Sequence, residues 1–191
     1  MNEFADIDGY LEDQLLVAMP SMLDPNFERS VTLMCQHSSE GAIGITINRE
    51  SSFTLGDIFD QLDLDCEDET VRALPVLEGG PVHPDRGFVV HSPREGFESS
   101  MRLASDIMVT TSRDVLAAIA AGEGPERYLV ALGYAGWGDG QLEDELRQNA
   151  WLSVPTDSDI VFEAPLTDRW TRAVSNLGVD ISNLHDVGGR A

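Results

Sequence analysis

The chain has 191 residues, of which 34 are acidic, 12 are basic and 42% are apolar, so its formal net charge is −22. This length and apolar content predict one globular domain with a sizeable core and exclude a disordered or fibrous chain. A surface of this charge repels nucleic-acid phosphates and anionic lipids. Direct nucleic-acid binding is therefore disfavoured, no membrane attachment is expected, and the expected partner is an unknown protein or small-molecule ligand.

The N-terminus and the cysteines favour a cytoplasmic protein. Acidic residues lie where a secretory signal would carry positive charge, and there is no apolar run of about 18 residues. The two cysteines, Cys35 in an apolar run and Cys66 in an acidic one, form no framework of disulfides. Such thiols fit a reducing compartment, so we expect a cytoplasmic location.

The first half of the chain reads as strands followed by a short helix. The strand patterns are Gln14–Met19, Ser30–His37 and Ala42–Asn48, the last two forming a hairpin. Because side chains alternate along a strand, Cys35 and His37 are expected on one face. Thr54 and Asp57 form a capping box that predicts a helix to about Leu62, and the acidic residues 63–69 are expected to form an exposed loop.

In the second half of the chain, predicted strands and helices follow one another in a less regular order. Strands are predicted at Val76–Leu77, Gly87–His91, Ile107–Thr110 and Arg127–Tyr134, and helices at Asp114–Ala121 after Ser112, along Leu142, Leu146 and Ala150, and from Pro165. The tail from Ile181 is expected to be loosely held. Clustered strands without a regular βαβ order predict a mixed-sheet α+β domain.

The segment Gly133–Gly140 contains four glycines and two aromatic residues between a predicted strand and a predicted helix. So many glycines indicate a backbone in close approach to either a ligand or another part of the fold. The segment lacks the glycine patterns of phosphate-binding loops, and acidic residues crowd the start of the helix. Tight packing around Tyr134 and Trp137 is the competing interpretation to anion binding.

The catalytic candidates are Cys35, His37 and His91. A cysteine with a nearby imidazole can act as a nucleophile, although side chains two apart on a strand are roughly 6 to 7 Å apart. The alternative is that Cys35 is a small buried apolar residue and His37 a polar residue at a strand end. A zinc site of Cys35 with histidines is a less favoured alternative, and the acidic run at residues 63–69 fails the calcium-loop pattern. Neither a metal nor a cofactor is predicted.

The ligand-binding candidates come from scarce arginines, one asparagine and the glycine-rich segments. Arg29 and Arg86 each lie beside a predicted strand, where a guanidinium group binds a carboxylate or phosphate or pairs with one of the many acids. Asn48 fits either a turn or a ligand contact. The full set is Arg29, Asn48, Gly79, Gly80, Arg86, Gly136, Trp137 and Gly138.

Several of these motifs together resemble the bacterial YqgE/AlgH family. They are Met22–Val31, Cys35–His37, Gly41–Asn48, Gly79–Val82, Arg86–Ser92 and Gly133–Glu143, and the resemblance spans Leu15 to Leu177. It implies a single cytosolic domain over residues 1–191, with an ordered core at about 12–180. The implied fold is α+β, with a bifurcated mixed β-sheet that includes a small closed β-barrel and is surrounded by helices.

The resemblance implies no established activity, although one branch of the family carries the label of a transcriptional regulator. The residues contain no complete catalytic motif and no basic helix-turn-helix. We therefore expect a binding or regulatory protein acting through a small ligand or a protein partner. The alternative is an enzyme that uses Cys35 as a nucleophile on a small-molecule substrate.

Overall fold

The computed structural model describes residues 11–104 and 106–178. The strands are β1 Gln14–Ala18, β2 Val31–Ser38, β3 Gly41–Thr46, β4 Glu50–Thr54, β5 Pro75–Glu78, β6 Val82–His91, β7 Ser100–Ala104, β8 Ile107–Thr110, β9 Tyr128–Trp137 and β10 Trp151–Pro155. The α-helices are α1 Leu55–Gln61, α2 Glu69–Arg72, α3 Arg113–Ala120, α4 Gln141–Arg147, α5 Ser158–Phe162 and α6 Arg169–Ser175. A short 3-10 turn, Leu166–Asp168, precedes α6.

The sheet is mixed and forks at β9. Its main strand order is β10-β1-β2-β3-β9-β6-β8-β7, and β5 joins β9 in parallel while carrying β4 on its other side. β5 and β6 both pair with Ala131 and Leu132, so they lie on opposite edges of β9. The bifurcated mixed sheet is thus present, but the strand pairs of the described ranges trace an open path without a closed barrel.

The link between β5 and β6 crosses β9. Two strand spacings amount to about 9.6 Å, and the four steps from Glu78 to Val82 reach at most about 14 Å, so the link has little slack. A Cβ atom added to Gly80 would lie 2.1 Å from the carbonyl carbon of Tyr134. One added to Gly133 would lie 2.4 Å from the Gly80 oxygen. Glycine at these positions is a requirement of the crossing.

Apolar side chains fill three clusters around the sheet. The largest, here called the main core, includes Leu33, Val90 and Ala131 together with Trp170 and Val174 of α6. A second cluster lies beneath α1 and α3, and the third joins α4 to β1, β2, β9 and β10. β9 contributes to all three, as expected for a central strand buried on both faces.

Most predicted elements are confirmed. The capping box of Thr54 and Asp57 opens α1, which ends at Gln61, and the Ile107–Thr110 strand has its predicted bounds. Three strands, β4, β7 and β10, and the short helices α2 and α5 were not predicted.

Two predicted elements differ in detail. The strand predicted to end at Tyr134 continues in β9 to Trp137, so only residues 138–140 connect it to α4. Ser112 precedes α3 as predicted but makes no capping hydrogen bond through its side chain. The tail from Ile181 lies outside the described residues. Among the described ones, no helix is both long and apolar enough to cross a membrane.

Candidate functional site

β2 departs from regular pairing at Cys35. Met34 and Gln36 pair with two consecutive residues of β3, so Cys35 is an inserted residue in a β-bulge. A bulge shifts the alternation of side chains by one position. Cys35 therefore packs into the main core, whereas His37 lies on the other face with Met34, and the predicted shared face of Cys35 and His37 is wrong.

The Cys35 thiol is buried in apolar surroundings. The side chain is 6% exposed, and its Sγ–H donates to the Leu33 carbonyl oxygen at 3.7 Å. Burial raises the pKa of Cys35 to about 12, because the thiolate would lose its hydration. The group is therefore a protonated thiol at neutral pH, which is the unreactive form.

The two candidate bases are each engaged elsewhere. His37 Nε2 lies 2.5 Å from Glu143 Oε1 of α4, and its side chain is buried. His91 donates from Nδ1 to the Ser92 carbonyl oxygen at 2.8 Å, and its Nε2 lies 2.7 Å from Thr110 Oγ1. Burial lowers the pKa of His91 and favours the neutral ring. The three catalytic candidates thus occupy separate surroundings.

One cleft does gather residues from the predicted set. It has a volume of about 400 Å³ and is called here the Arg86 cleft. Its lining residues are Cys35, Gln36, Ile43, Arg86, Phe88, Glu98, Ser99, Ser100, Met101, Val109, Thr111 and Tyr134. A second hollow of about 410 Å³ shares Gln36, Ile43 and Tyr134 with it and adds Gly136 and Trp137. Because they share these lining residues, the two hollows adjoin, and together they are called here the depression.

Arg86 lines the first of these hollows, and Tyr134 lines both. Arg86 belongs to residues 83–86, which loop out of β6 where its pairing with β9 shifts between Val82 and Gly87. Its guanidinium carbon lies 5.5 Å from the Phe88 ring centroid, and it forms no ion pair with any described residue. The Tyr134 ring packs edge-on against Phe88 at 5.9 Å.

Arg29 and Asn48 lie together but away from the Arg86 cleft. Asn48 accepts from the Val31 N–H at 2.9 Å and donates to the Arg29 carbonyl oxygen at 2.9 Å, so it clamps the start of β2. The Arg29 guanidinium lies 4.3 Å from the centroid of the Trp170 ring. Both side chains therefore have contacts that support the fold.

The glycine candidates fall into two kinds. Gly79 and Gly80 face the backbone of β9, with added Cβ atoms at 2.3 Å and 2.1 Å from it. At Gly136 an added Cβ would meet only ordinary contacts, the nearest at 3.6 Å, and at Gly138 the nearest atom is 4.0 Å away. Steric crowding does not require glycine at 136, yet its missing side chain leaves the depression open.

Trp137 is anchored by its ring nitrogen. Its Nε1–H donates to Glu145 Oε2 at 2.8 Å, and the ring packs against Phe27 and Trp151. Of the candidates, the structure brings Cys35, Arg86, Gly136 and Trp137 to the joined depression. No three His, Cys, Asp or Glu side chains within residues 11–104 and 106–178 are grouped to hold a metal ion.

A further cleft was not predicted. It has a volume of about 510 Å³, lies between α1, α3 and the β6-β9 pair, and is called here the helix cleft. Its lining residues are Phe53, Ile58, Gln61, Leu62, Pro84, Asp85, Gly87, Phe88, Val89, Thr111, Ser112, Arg113, Leu116, Val130 and Leu132. Its apolar positions follow the helical and strand periods of ordinary core residues, so the sequence offers no signal that separates cleft from core.

The forked mixed sheet and its surrounding helices define an α+β domain, and within residues 11–104 and 106–178 the three catalytic candidates are not brought together. The chain matches the model of the AlgH-like family (DUF179) over residues 15–182 and belongs to that family. A UPF0301 protein of Xanthomonas campestris pv. campestris strain B100 is 50% identical over 181 residues, covering 95% of this chain and 96% of the relative. A UPF0301 protein of Xanthomonas oryzae pv. oryzae strain PXO99A is equally similar.

Solved structures share the fold. The solution structure of the AlgH protein from Pseudomonas aeruginosa is similar with a TM-score of 0.78 and 43% identity, covering 95% of this chain and 94% of that one. The crystal structure of protein DIP2367 from Corynebacterium diphtheriae has a TM-score of 0.71 at 21% identity and covers 90% of each chain. At this identity, the similarity to DIP2367 shows that the two proteins share a fold and nothing more.

Proposed function

We propose that this protein binds a small organic anion in the Arg86 cleft and the hollow that adjoins it. The observation that carries the proposal is Arg86 itself. The chain has 34 acidic residues, yet this exposed guanidinium at an apolar-walled cleft has no carboxylate partner among the described residues. A planar guanidinium group binds a carboxylate or phosphate through two parallel hydrogen bonds.

The dimensions and lining of the cleft suit a small molecule. Ligand sites commonly have volumes of about 300 to 1,000 Å³, with mostly apolar walls and a few polar groups that fix orientation. Ile43, Phe88 and Val109 supply apolar surface, and Tyr134 supplies a hydroxyl group. Glu98 also lines the cleft, so a ligand with one or two negative charges fits better than a polyanion.

Gly136 supports the same assignment. It pairs with Ile43 across β3 and β9, so a side chain at position 136 would project into the hollow beside Tyr134. The backbone there has room for a Cβ atom. The hollow is therefore open because residue 136 is glycine, although the fold itself would accept a larger residue there.

A regulatory role would then operate through occupancy of this cleft. The negative surface disfavours direct contact with DNA, and the two cysteines are free thiols, as in a reducing cytoplasm. We infer a cytoplasmic binding protein whose ligand changes its contacts with a protein partner.

Paired ligands test the proposal. Benzoate and phenyl phosphate are titrated against benzamide and benzyl alcohol by calorimetry and by amide NMR shifts. We expect the anions to bind in preference, Arg86→Gln to weaken anion binding about tenfold, and Gly136→Val to weaken binding of anion and neutral analogue alike. Arg172→Gln, an exposed arginine of α6 outside both clefts, is the matched control. Equal anion binding by wild type and Arg86→Gln would refute the assignment.

A further inference from the structure

The helix cleft carries chemistry different from that of the Arg86 cleft. Its inner walls come from three elements: Ile58 and Leu62 at α1, Leu116 of α3, and Val130 and Leu132 of β9. All five side chains are branched and aliphatic. A buried heteroatom would find no hydrogen-bond partner among them, so these walls favour a hydrocarbon chain over a polar ring.

The polar lining residues of the helix cleft come from three sides: Gln61 from α1, Asp85 from β6, and Thr111, Ser112 and Arg113 from the start of α3. Arg113 is the first residue of α3, and its Nη2 donates to the Leu62 carbonyl oxygen at 2.7 Å. This bond spans the cleft from α3 to α1 and fixes the guanidinium group beside the aliphatic walls. Arg113 forms no ion pair with any described residue, so its charge is available to an anion.

Neither Asp114, the neighbour of Arg113 in sequence, nor Asp85, which lines the same cleft, forms an ion pair with Arg113. Asp114 accepts hydrogen bonds from the Ser112 hydroxyl and from the N–H groups of Glu98 and Val115, and these bonds lower its pKa despite the opposing effect of burial. Asp85 also lines the cleft, but from the looped-out part of β6 rather than from α3. Among the described residues that line the cleft, Arg113 is the one basic side chain, so a carboxylate is best placed beside it and away from Asp85.

Phe53 provides an independent sign of a binding surface. It is 48% exposed in β4, a strand whose other residues are polar, and it lines the helix cleft. An exposed aromatic ring at the rim of an apolar cleft adds nothing to the buried core, but it can cover a bound apolar chain.

We propose that the helix cleft binds an unbranched aliphatic carboxylate, with the alkyl chain along the walls and the carboxylate at Arg113. The cleft volume of about 510 Å³ is ample for a chain of medium length. This site differs from the proposed anion site in its arginine: the two clefts meet at Phe88 and Thr111, but Arg113 lines only the helix cleft and Arg86 lines only the Arg86 cleft.

Octanoate is the probe, with 1-octanol as its neutral analogue and acetate as the anion without a chain. The methyl NMR signals of Ile58, Leu62 and Leu116 are followed during titration. We expect saturable shifts with octanoate, weaker ones with octanol and none with acetate. Arg113→Gln should raise the Kd for octanoate about tenfold while leaving octanol unchanged, and Phe53→Ser should weaken both.

Two variants outside the cleft serve as controls. Arg172→Gln should leave octanoate binding unchanged, and so should Arg86→Gln, which separates this inference from the proposed function. The inference is overturned by methyl shifts that do not saturate, by equal octanoate affinity after Arg113→Gln, or by equal binding of acetate. It is also overturned if dilution of the protein alone moves the same methyl signals, since a second copy of the chain would then cover the cleft.

Discussion

The glycines of the glycine-rich segments do not all have the same role. Some are required by close backbone contacts, and others only leave a cleft open. Gly80 has φ of +154°, and an added Cβ would overlap the backbone of Tyr134 and Ala135. Gly136, two residues beyond Tyr134 on the same strand, has neither constraint. Glycine at position 80 therefore allows the β5-β6 link to pass close to β9, whereas glycine at position 136 leaves the hollow without a side chain.

This difference predicts opposite outcomes for two small substitutions. Gly80→Ala should reduce the free energy of unfolding by at least about 3 kcal/mol, because the methyl group meets backbone atoms that cannot move independently. Gly136→Ala should change it by less than about 0.5 kcal/mol. Urea denaturation followed by far-UV circular dichroism measures both. Similar losses for the two variants would contradict the assignment of Gly80 to the crossing.

The sequence predicted the close approach at these glycines but not what approaches. Gly133 and Gly80 are distant in sequence, and no local pattern pairs them. Likewise, strict alternation placed Cys35 and His37 together, and one inserted residue separated them. A bulge depends on pairing with β3, which the pattern of β2 alone does not contain. The sequence could identify candidate residues for the site, but it could not predict on which face of the sheet their side chains lie.

At the level of elements, the Glu145 carboxylate of α4 joins the helix to two strands of the sheet, in addition to the contact of Glu143 with His37. Glu145 Oε2 accepts from the Nε1–H of Trp137 in β9 and from that of Trp151 in β10, each at 2.8 Å. Its other oxygen accepts from the Gln141 side chain at 3.2 Å. The sequence shows only that acidic residues crowd the start of this helix, whereas in the structure Glu145 joins three elements.

Removing that carboxylate should loosen the junction. Glu145→Ala leaves two part-buried indole N–H groups without their acceptor, so we expect a loss of roughly 2 kcal/mol in the free energy of unfolding. Urea denaturation followed by tryptophan fluorescence measures this loss. Glu123→Ala, an exposed acid after α3, is the control and should change stability by less than about 0.5 kcal/mol. Equal effects would show that the indole contacts contribute little.

Elements with a clear apolar period were predictable, and those without it were not. Val31, Leu33 and their neighbours reveal β2, and the Thr54 capping box reveals α1. β4, with the sequence Glu-Ser-Ser-Phe-Thr, has no buried residue and becomes a strand because β5 offers it a partner. β7 and β10 are the outermost strands of the main order, where less apolar surface is needed.

For the whole molecule, charge is the dominant surface property. The chain has a net charge of −22 and a mass of 20.9 kDa. Its acidic side chains are closer together in the folded state than in the expanded unfolded state, so they repel one another more strongly when the protein is folded. Raising NaCl from 10 to 150 mM should therefore increase the free energy of unfolding, on the order of 1 kcal/mol, through screening. Sucrose at equal osmolality controls for solvent effects. A decrease with NaCl would contradict dominant self-repulsion.

The passage of the β5-β6 link across β9 also bears on how the chain is made. Residues 75–91 lie on both edges of β9, which begins only at Tyr128. During synthesis, roughly forty further residues must be added after β6 before β9, the strand that pairs with both β5 and β6, has been made. Pairings over such separations form slowly, and the waiting strands present open edges. The period between synthesis of β6 and of β9 is therefore when the nascent chain is most exposed to aggregation.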